Sequence, residues 1–472
     1  MVLSSCNFVY NFVELRVMFF EEGSRSTRRS HKGKDIYFRT ADLPSSPTHI
    51  CIFEDPACTQ FLPLAYFRPV YNLRCGITSL KEKIILQFPG AGVTIHCRSY
   101  LAEYMRLRNP QFRVNEIPGK ECLFVNGRVV AGEPLKKAVS GKRTSDVVYM
   151  KGDVVVAARV SGANLARLKQ RLSDVLTAAD FDGIEREEVD ADVVSYVWDV
   201  VQRNGREISA DFEVLFGKSR STKRRTKLKE GSNNGAYLLN AKRVSIGSGT
   251  DLNPGVVLDA REGPVVVGEN VTLFPNCTII GPAYIGDGSS VKVNAQIYPG
   301  TSVGPVCKIG GEVEGSIFHG YSNKQHAGFI GHSYVGAWVN MGAGTNNSDL
   351  KNNYGRVRVQ TKDGIVDTGL QFVGLSFGDH AKTAINSMFN TGTIVGVCSN
   401  IFGFGFPPKY VPSFSWGAAG ETFTTFGLDK AVEMAHRVMA RRKVTLSETE
   451  KKLIGNIFEM TADERRRRGM PA

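Results

Sequence analysis

The feature that most constrains the fold is a six-residue repeat of aliphatic side chains in the second half of the chain. It begins with Ile246, Leu252 and Leu258 and is then unbroken over Val267, Leu273, Ile279, Ile285, Val291, Ile297, Val303 and Ile309. A period of six suits neither an α-helix nor a single β-strand. It is typical of a β-helix, in which three short strands make one coil of ~18 residues and each aliphatic side chain stacks on the next coil.

The repeat resumes in two further segments, at Val335 and Met341 and then from Phe377 to Ile401. Between them, residues 351–371 break the period and predict a projecting hairpin with its turn at Lys362-Asp363-Gly364. After the repeat, residues 428–443 have an amphipathic helical pattern, and Ser447-x-x-Glu450 is a capping box that opens a second helix. We expect these helices to cap the open end of the β-helix, where strand edges would otherwise be unpaired.

The first half of the chain alternates short β-rich runs with helical patterns. Strands are predicted at Ile50–Glu54, Val93–His96, Leu123–Val125 and Val154–Val160, with helices at Ile77–Phe88, Ser99–Arg108 and Ala163–Leu176 between them. This alternation indicates an α/β domain with a mostly parallel sheet. The predicted segments are a disordered leader (1–48), the α/β domain (49–217), a basic linker (218–240), the β-helix (241–417) and a helical cap with a basic tail (418–472).

Composition narrows the function class. No apolar run reaches the ~18 residues that a membrane span needs, and the nine cysteines form no C-x-x-C pair, which favours a reducing cytoplasm over a disulfide framework. Much of the excess positive charge lies in residues 218–229 and in Arg465–Arg468. Such blocks are typical of solvated linkers and tails, so no specific nucleic-acid binding is expected.

A polar stretch inside the repeat, residues 321–355, is the strongest candidate for a functional site. His326 is its sharpest member, because an acyl transfer to an amine needs a base that titrates near neutral pH. The same stretch contains Lys324, Asn340, Asn353 and Tyr354. Groups of these types do not help a β-helix to pack, which favours a role in chemistry or binding.

Residues 244–355 resemble the left-handed β-helix domain of the bifunctional N-acetylglucosamine-1-phosphate uridylyltransferase/glucosamine-1-phosphate N-acetyltransferase (GlmU-like) family. The runs NKQHAGFIGHSYVGAWVNMGAGTNNSDLKNNYG, FGDHAKTAINSMFNTGTIVG and GFGFPPKYVPSFSWG are similar to a bacterial branch of sugar nucleotidyltransferases of that type. The resemblance implies an α/β nucleotidyltransferase-like N-terminal domain plus a left-handed parallel β-helix with C-terminal helices. It also implies acetyl-CoA as co-substrate and a homotrimer with its sites between subunits.

The resemblance assigns roles to residues of the polar stretch. His326 falls on the position of the catalytic base, Glu312 on an acidic position of the amino-sugar pocket, and Asn353-Tyr354 on a pair that lines the acetyl-CoA and acceptor site. Ala343 falls where the family backbone approaches coenzyme A, with Asn340 just before that turn. Lys324, like Lys308, is a candidate for holding the sugar phosphate. Phe329 stands where the better-known members have a tyrosine, which leaves the identity of the acceptor open.

In the first domain, LPLAYFRPV resembles the family's Pro-Leu…Lys-Pro stretch, with Arg68 at the lysine position. The family's Gly-rich loop is replaced by residues 55–60, and Asn126 stands where an aspartate usually binds Mg²⁺. Arg68, Arg74 and Lys83 are candidate phosphate ligands, and Mg²⁺ could serve this domain. The predicted activity is nucleotidyl transfer onto a sugar 1-phosphate, and the alternative is a non-catalytic domain that only binds or regulates.

A third interpretation is a zinc enzyme of the γ-carbonic-anhydrase type, which also uses a β-helix. His319, His326 and His332 are spaced by seven and six residues, and three histidines can bind zinc. Asp199 and Asp211 are further carboxylates without an assigned role. The sequence therefore leaves the identity of any metal open.

Overall fold

The computed structural model describes residues 47–139, 145–217, 231–233 and 235–470. The predicted leader lies outside these residues, apart from Pro47 and Thr48, as does the greater part of the predicted basic linker. Among the described residues, no helix combines the length and apolar character needed to cross a membrane.

The first domain is a seven-stranded sheet with helices around it. Its strands are β1 (His49–Phe53), β2 (Gly92–Ile95), β3 (Arg113–Val114), β4 (Glu121–Asn126), β5 (Val147–Lys151), β6 (Val154–Ser161) and β7 (Glu185–Glu188), in the order β3-β2-β1-β4-β6-β5-β7. The first four strands are parallel, as predicted, whereas β6 runs antiparallel to both β4 and β5.

The helices of this domain are α1 (Leu80–Gln87), α2 (Ser99–Arg108), α3 (Glu133–Val139), α4 (Gly162–Gln170) and α5 (Val197–Phe216), with short 3-10 helices at Pro56–Phe61, Val70–Asn72 and Ala178–Phe181. A small antiparallel pair, Arg74–Cys75 with Thr78–Ser79, precedes α1. The Ser79 side chain and Glu82 form a capping box that fixes the start of α1.

The second domain is a parallel β-helix with three faces, which we name A, B and C. Face A contains Ala236–Leu239, Val257–Asp259, Thr278–Ile280, Gln296–Ile297, Glu312–Glu314 and Phe329–Gly331, and is continued by Asn346–Asn347 and Met388–Phe389. Face B contains Val244–Ile246, Val265–Val267, Ala283–Ile285, Thr301–Val303, Ile317–Gly320, Tyr334–Ala337, Ser376–Phe377, Ile394–Val395 and Tyr410–Val411.

Face C contains Asp251–Leu252, Thr272–Leu273, Ser290–Val291, Lys308–Ile309 and Asn323–Lys324, and after a bridge at Asn340 it continues with Lys382–Thr383, Asn400–Phe402, Ser415–Ala418 and Thr424–Thr425. The chain visits the faces in the order B, C, A. The first strand of face A, Ala236–Leu239, lies within residues 218–240 that the sequence assigns to a linker, and Gly231–Asn233 pairs with it antiparallel.

The repeating aliphatic side chains form the core of the β-helix, as the six-residue period predicts. From Val267 to Ile309 every one of the eight is at most 2% exposed, and Val335, Met341, Phe377 and Ile401 are buried in the same cluster. Each such side chain contributes roughly 1.5–3 kcal/mol by leaving water. Two inward positions are polar instead of aliphatic. Lys324 lies beside Ile309 on the next coil, and Asn347 lies beside Phe389.

The two domains pack closely along face B. Helix α5 lies on this face, where the Asn204 amide donates to the carbonyl of Gly300 (2.7 Å) and to the Ser302 hydroxyl (3.0 Å). Ile317 and Tyr334 from face B share a buried cluster with side chains of the first domain. The β-helix therefore does not present face B to solvent in this region.

The insertion at 351–371 contains the predicted hairpin, formed by Arg358–Gln360 and Ile365–Asp367. Its orientation differs from the expectation of a projecting element. Val357 and Val359 pack against Trp198 at the start of α5, because these apolar side chains find a partner on the first domain.

The C-terminal helices α6 (Leu428–Ala440), α7 (Glu448–Met460) and α8 (Ala462–Arg467) contact the last coil of the β-helix, where Phe458 packs on Phe414 and Arg468 lies over the Tyr410 ring. Helix α7 packs on α2 of the first domain, and Arg108 pairs with Glu450 there. The predicted capping box at Ser447 and Glu450 is present. The helices join the two domains because their apolar faces share one buried cluster with side chains of the first domain and with Val397 and Phe414 of the β-helix. Phe423 and Met470 belong to the core of the β-helix.

Candidate active site

His326 lies at the corner between faces C and A, which we call the C/A corner. Its side chain is exposed, and its Nε2 atom lies 3.3 Å from the Gln325 amide nitrogen. No described carboxylate holds the ring. The imidazole is therefore accessible to a substrate but is not oriented by its own chain.

Two other predicted site residues lie at the same corner in neighbouring coils. The Glu312 amide donates to the carbonyl of Gly328 (3.1 Å), in the coil that carries His326. On the other side, the Gly344 amide donates to Ala327 (3.0 Å), which places Ala343 beside the corner in the next coil. Glu312, His326 and Ala343 thus form one line along the C/A corner.

Lys324 is turned into the β-helix, although the sequence suggests that it could hold a sugar phosphate. It is 2% exposed, and its Nζ atom donates to the carbonyls of Gly310 (3.0 Å) and His326 (2.7 Å). Burial lowers the pKa of Lys324 to about 8. Its ammonium group therefore ties the C/A corner together from inside.

Asn340 lies on face C, where its side-chain oxygen accepts from the Asn323 amide (3.2 Å). Asn353 and Tyr354 follow the last part of face A and lie beyond its opposite corner, the A/B corner. Tyr354 is 69% exposed, and its carbonyl accepts from the Gln371 amide (2.8 Å). Within one chain, therefore, these three residues do not join the line of Glu312, His326 and Ala343.

The A/B corner carries a second histidine, which the sequence offers only as a zinc candidate. His332 Nδ1 lies 2.8 Å from Asp349 Oδ2, and the two side chains are 21% and 12% exposed. Asp349 is not singled out by its sequence context, because its partner is 17 residues away on the neighbouring coil. Only the stacking of consecutive coils brings the two together.

In the first domain, the carboxyl ends of β1 and β4 form the switch point at which such sheets bind ligands. Here Asp55 accepts from Arg128 Nε (2.8 Å), and both of its oxygens are engaged by the Arg128 guanidinium. The Asn126 oxygen accepts from the Arg128 amide, and its NH₂ group donates to Asp55 and to the Val155 carbonyl. Asp55 and Asn126 thus present no free oxygen to a cation, and this donor set does not fit Mg²⁺.

The three basic candidates of the first domain are also engaged. Arg68 is buried and pairs with Asp379 of the β-helix at 2.7 Å. Burial raises the pKa of Asp379, and the Arg68 guanidinium acts in the opposite direction. Lys83 pairs with Glu207 (2.9 Å) and Asp211 (2.6 Å) of α5.

Arg74 lies at the domain interface, where its amide donates to the Tyr334 hydroxyl (2.7 Å) and its guanidinium lies over the Tyr284 ring. The two unassigned carboxylates have local partners, since Asp199 caps the start of α5 and Asp211 accepts from the Ile77 and Thr78 amides. The structure therefore does not bring Arg68, Arg74, Lys83 and Asn126 together into one phosphate site.

The three histidines proposed for zinc lie apart within the chain. His319 is half-buried on face B, and desolvation at this site lowers its pKa well below the usual value. His326 and His332 occupy different corners. In the part of the chain that the structure describes, no group of three or more His, Cys, Asp or Glu side chains could hold a metal ion.

Comparison with protein-family models matches residues 50–220 to the family described as sugar nucleotidyl transferase. The similarity is to the part of the chain that forms the α/β domain.

The chain is also similar to individual proteins. It is 29% identical over 153 residues to bifunctional protein GlmU of Synechococcus sp. (strain CC9311), a match that covers 32% of this chain and 29% of the relative. It is 35% identical over 105 residues to bifunctional protein GlmU of Acidithiobacillus ferrooxidans, covering 22% and 21%. The chain thus spans about a third or less of the length of these relatives.

Among solved structures, UDP-N-acetylglucosamine acyltransferase from Campylobacter jejuni matches with a TM-score of 0.25 and 13% identity, over 48% of this chain and 88% of that one. UDP-N-acetylglucosamine acyltransferase of Francisella novicida matches with a TM-score of 0.25 and 17% identity, over 50% and 86%.

Proposed function

We propose that the β-helix of this chain transfers an acetyl group from acetyl-CoA to the amine of a hexosamine phosphate. The observation that carries the proposal is the line of Glu312, His326 and Ala343 along the C/A corner. The sequence relationship to bifunctional protein GlmU supports it. The exposed imidazole is available to a substrate that approaches from solvent.

In this proposal His326 takes a proton from the ammonium group, and the freed amine attacks the thioester carbonyl. A C–N bond forms, the C–S bond breaks, and the proton that the nitrogen then loses goes to the thiolate to give free coenzyme A. Glu312, one coil away, contacts the amino sugar, and the backbone around Ala343 approaches coenzyme A. Backbone amides at the corner would stabilise the oxyanion, because fixed dipoles aimed at developing charge favour the transition state. Lys324 acts from inside the coil by holding the carbonyl of His326.

We further propose that the first domain transfers a nucleotidyl group onto a sugar 1-phosphate, so that the two domains act in sugar-nucleotide synthesis. The family match at residues 50–220 supports this activity. The Asp55–Arg128 pair at the switch point favours the alternative, a domain that binds or regulates without catalysis. We derive no step through Mg²⁺, since Asp55 and Asn126 already bond to protein groups.

Asn353 and Tyr354 lie away from His326 within one chain, which favours an assembly in which a second subunit completes the site. We therefore propose a homotrimer of the kind that the family resemblance implies. A cytoplasmic location is the matching proposal. It is supported by eight described cysteines that are buried and free.

The first test is thiol release from acetyl-CoA with glucosamine 1-phosphate as acceptor. We expect His326→Ala to lower the rate by a factor of about 10²–10⁴, the usual contribution of a general base. Wild-type protein that turns over no hexosamine phosphate would overturn the proposal. Pyrophosphate release from UTP or dTTP, with and without Mg²⁺, decides between a catalytic and a non-catalytic first domain.

A further inference from the structure

The His332–Asp349 pair at the A/B corner is a second candidate for proton transfer, on the same coil as His326 but at the other end of face A. Its two side chains approach to 2.8 Å and remain partly exposed. Neither the family match nor the proposed amine transfer uses this pair.

The local backbone is arranged so that the two side chains can meet. Gly331 precedes His332, and a Cβ atom at Gly331 would lie 2.2 Å from Asp349 Oδ2. The carboxylate thus occupies space that any other residue at 331 would need. His332 itself has φ = +44°, a conformation that residues with a side chain rarely adopt.

Backbone hydrogen bonds from both neighbouring strands hold His332 in this conformation. Its amide donates to the carbonyl of Glu314 (3.0 Å), and its own carbonyl accepts from the Gly374 amide (2.9 Å). Hydrogen bonds to the preceding coil and from the segment after the hairpin therefore fix the backbone at this corner.

The contact with Asp349 determines which ring nitrogen carries the proton. A carboxylate accepts from Nδ1–H, so the neutral ring has its proton on Nδ1 and leaves Nε2 as an acceptor. The same carboxylate stabilises the imidazolium that forms when Nε2 takes a proton. His332 is thus an oriented base, unlike the exposed ring of His326.

Such an orientation is most useful when the nucleophile is a hydroxyl group. An amine needs a base only to remove the extra proton of its ammonium form, whereas a hydroxyl is a weak nucleophile whose own O–H proton an adjacent base must take. The two corners of face A therefore differ in the nucleophile that each is suited to activate.

Aromatic side chains flank the pair and suit a carbohydrate ring. The Phe372 ring centroid lies 5.1 Å from that of His332, and Phe372 is 40% exposed. The Phe329 ring lies beside Gly331, where an added Cβ would come within 2.5 Å of it. An apolar wall with a few convergent polar groups is the usual composition of a small-molecule site.

We propose that His332, positioned by Asp349, is the catalytic base for transfer of an acetyl group to a hydroxyl of a carbohydrate bound at the A/B corner. The acyl donor, acetyl-CoA, rests on the proposed function. The hydroxyl O–H bond breaks, and its proton moves to His332 Nε2. A C–O bond forms at the thioester carbonyl, the C–S bond breaks, and the imidazolium returns the proton to the thiolate to give free coenzyme A.

The test uses acceptors whose amine is already blocked, N-acetylglucosamine 1-phosphate and UDP-N-acetylglucosamine, beside glucosamine 1-phosphate. We expect thiol release with a blocked acceptor, reduced at least about 100-fold in His332→Gln and in Asp349→Asn. His436→Gln, on the exposed face of α6, is the matched control and should retain the wild-type rate. All variants should melt at the wild-type temperature.

Asp349→Asn separates a positioning role from a structural one. The asparagine has nearly the same shape as the aspartate, but its NH₂ group can donate to Nδ1 of His332. The ring proton would then lie on Nε2, and His332 could no longer take a proton there. Nitrogen NMR of the ring should show the Nδ1–H form of His332 in the wild type and its loss in the variant. An unchanged rate or an unchanged tautomer in Asp349→Asn would overturn the proposal.

The acceptors also separate this proposal from the amine transfer. Turnover of glucosamine 1-phosphate alone would overturn the hydroxyl transfer and leave the proposed function standing. Turnover of a blocked acceptor alone, dependent on His332, would support the hydroxyl transfer and overturn the amine transfer. Absence of thiol release with all three acceptors would overturn both.

Discussion

The polar side chains of the two domains are used in opposite ways. In the first domain, Arg68, Lys83 and Arg128 are buried, and each pairs with a carboxylate. On the β-helix, His326 is exposed at the C/A corner, and Tyr354, beyond the A/B corner, is 69% exposed. The first domain thus holds its basic side chains in internal ion pairs, whereas the groups available to a substrate lie on the β-helix.

The difference follows from how each fold buries surface. An α/β domain surrounds the ends of its sheet with loops and helices, so a charge at those ends must find a partner or pay a large desolvation cost. A β-helix buries one side chain in each short strand and leaves the corners in solvent. Its corners can therefore carry polar groups at little cost to stability.

The largest expected effect is on stability in the first domain. Arg128→Ala would leave Asp55 buried without its partner and would remove the bond from Nη1 to the Val194 carbonyl (2.7 Å). Breaking such a pair costs about 3–5 kcal/mol in the free energy of unfolding. Urea denaturation followed by circular dichroism measures this loss, and a change below ~1 kcal/mol would show that the pair is not a structural requirement.

Lys324 is the counterpart in the β-helix of the buried basic residues in the first domain. Its ammonium group is held by the carbonyls of Gly310 and His326 and not by a carboxylate. Burial lowers its pKa to about 8, from 10.5 in the unfolded chain, so between these pH values the unfolded state binds more protons. The stability of the wild type should therefore rise with pH across this window. Relative to Lys324→Met, the rise should be roughly 3 kcal/mol.

The measurement for Lys324 is the difference in unfolding free energy between the two proteins at pH 7.5 and at pH 10. The comparison cancels other groups that titrate in the same range, such as Lys382. A difference that does not change with pH would mean that the Lys324 ammonium is solvated in the folded protein.

The smallest expected effect is at the exposed corner. His326→Gln should change the free energy of unfolding by less than ~0.5 kcal/mol, the usual range for surface substitutions. A matched surface change, Lys452→Ala in an exposed pair with Glu103, should have a similarly small effect, because solvent screens the pair. Thermal melting of both variants checks this, and a larger loss in His326→Gln would mean that the ring is part of the packing.

Much of the fold could be predicted because its signals are local. Helix α2 was predicted with its observed bounds, Ser99–Arg108, and the second capping box was found at Ser447 and Glu450. The inward columns of the β-helix followed from the period alone. The packing of the hairpin and of the C-terminal helices could not be predicted in this way, since each depends on a surface of the other domain.

The candidate site was predictable only in part. The family resemblance relates His326 and Ala343, because they lie 17 residues apart and the six-residue period alone does not link them. The contact between His332 and Asp349 depends on the number of residues in one coil. The sequence does not reveal that number here, because the inward position just before Asp349 is Asn347 and not an aliphatic residue. The sequence shows Lys324 only as a polar residue. Its inward direction follows from its pairing with Ile309 on the neighbouring coil.

The sequence by itself determined the β-helix, because a six-residue period is a direct record of coil geometry and needs no distant partner. In the first domain it predicted strands β1, β2, β4 and β6 and helices α1, α2 and α4, but not β3, β5, β7, α3 or α5. The tertiary structure alone decided which polar groups are available, since Arg68 and Asp379 meet across 311 residues of chain. Whether a charge serves binding or packing depends on what lies beside it in three dimensions, and no local pattern contains that information.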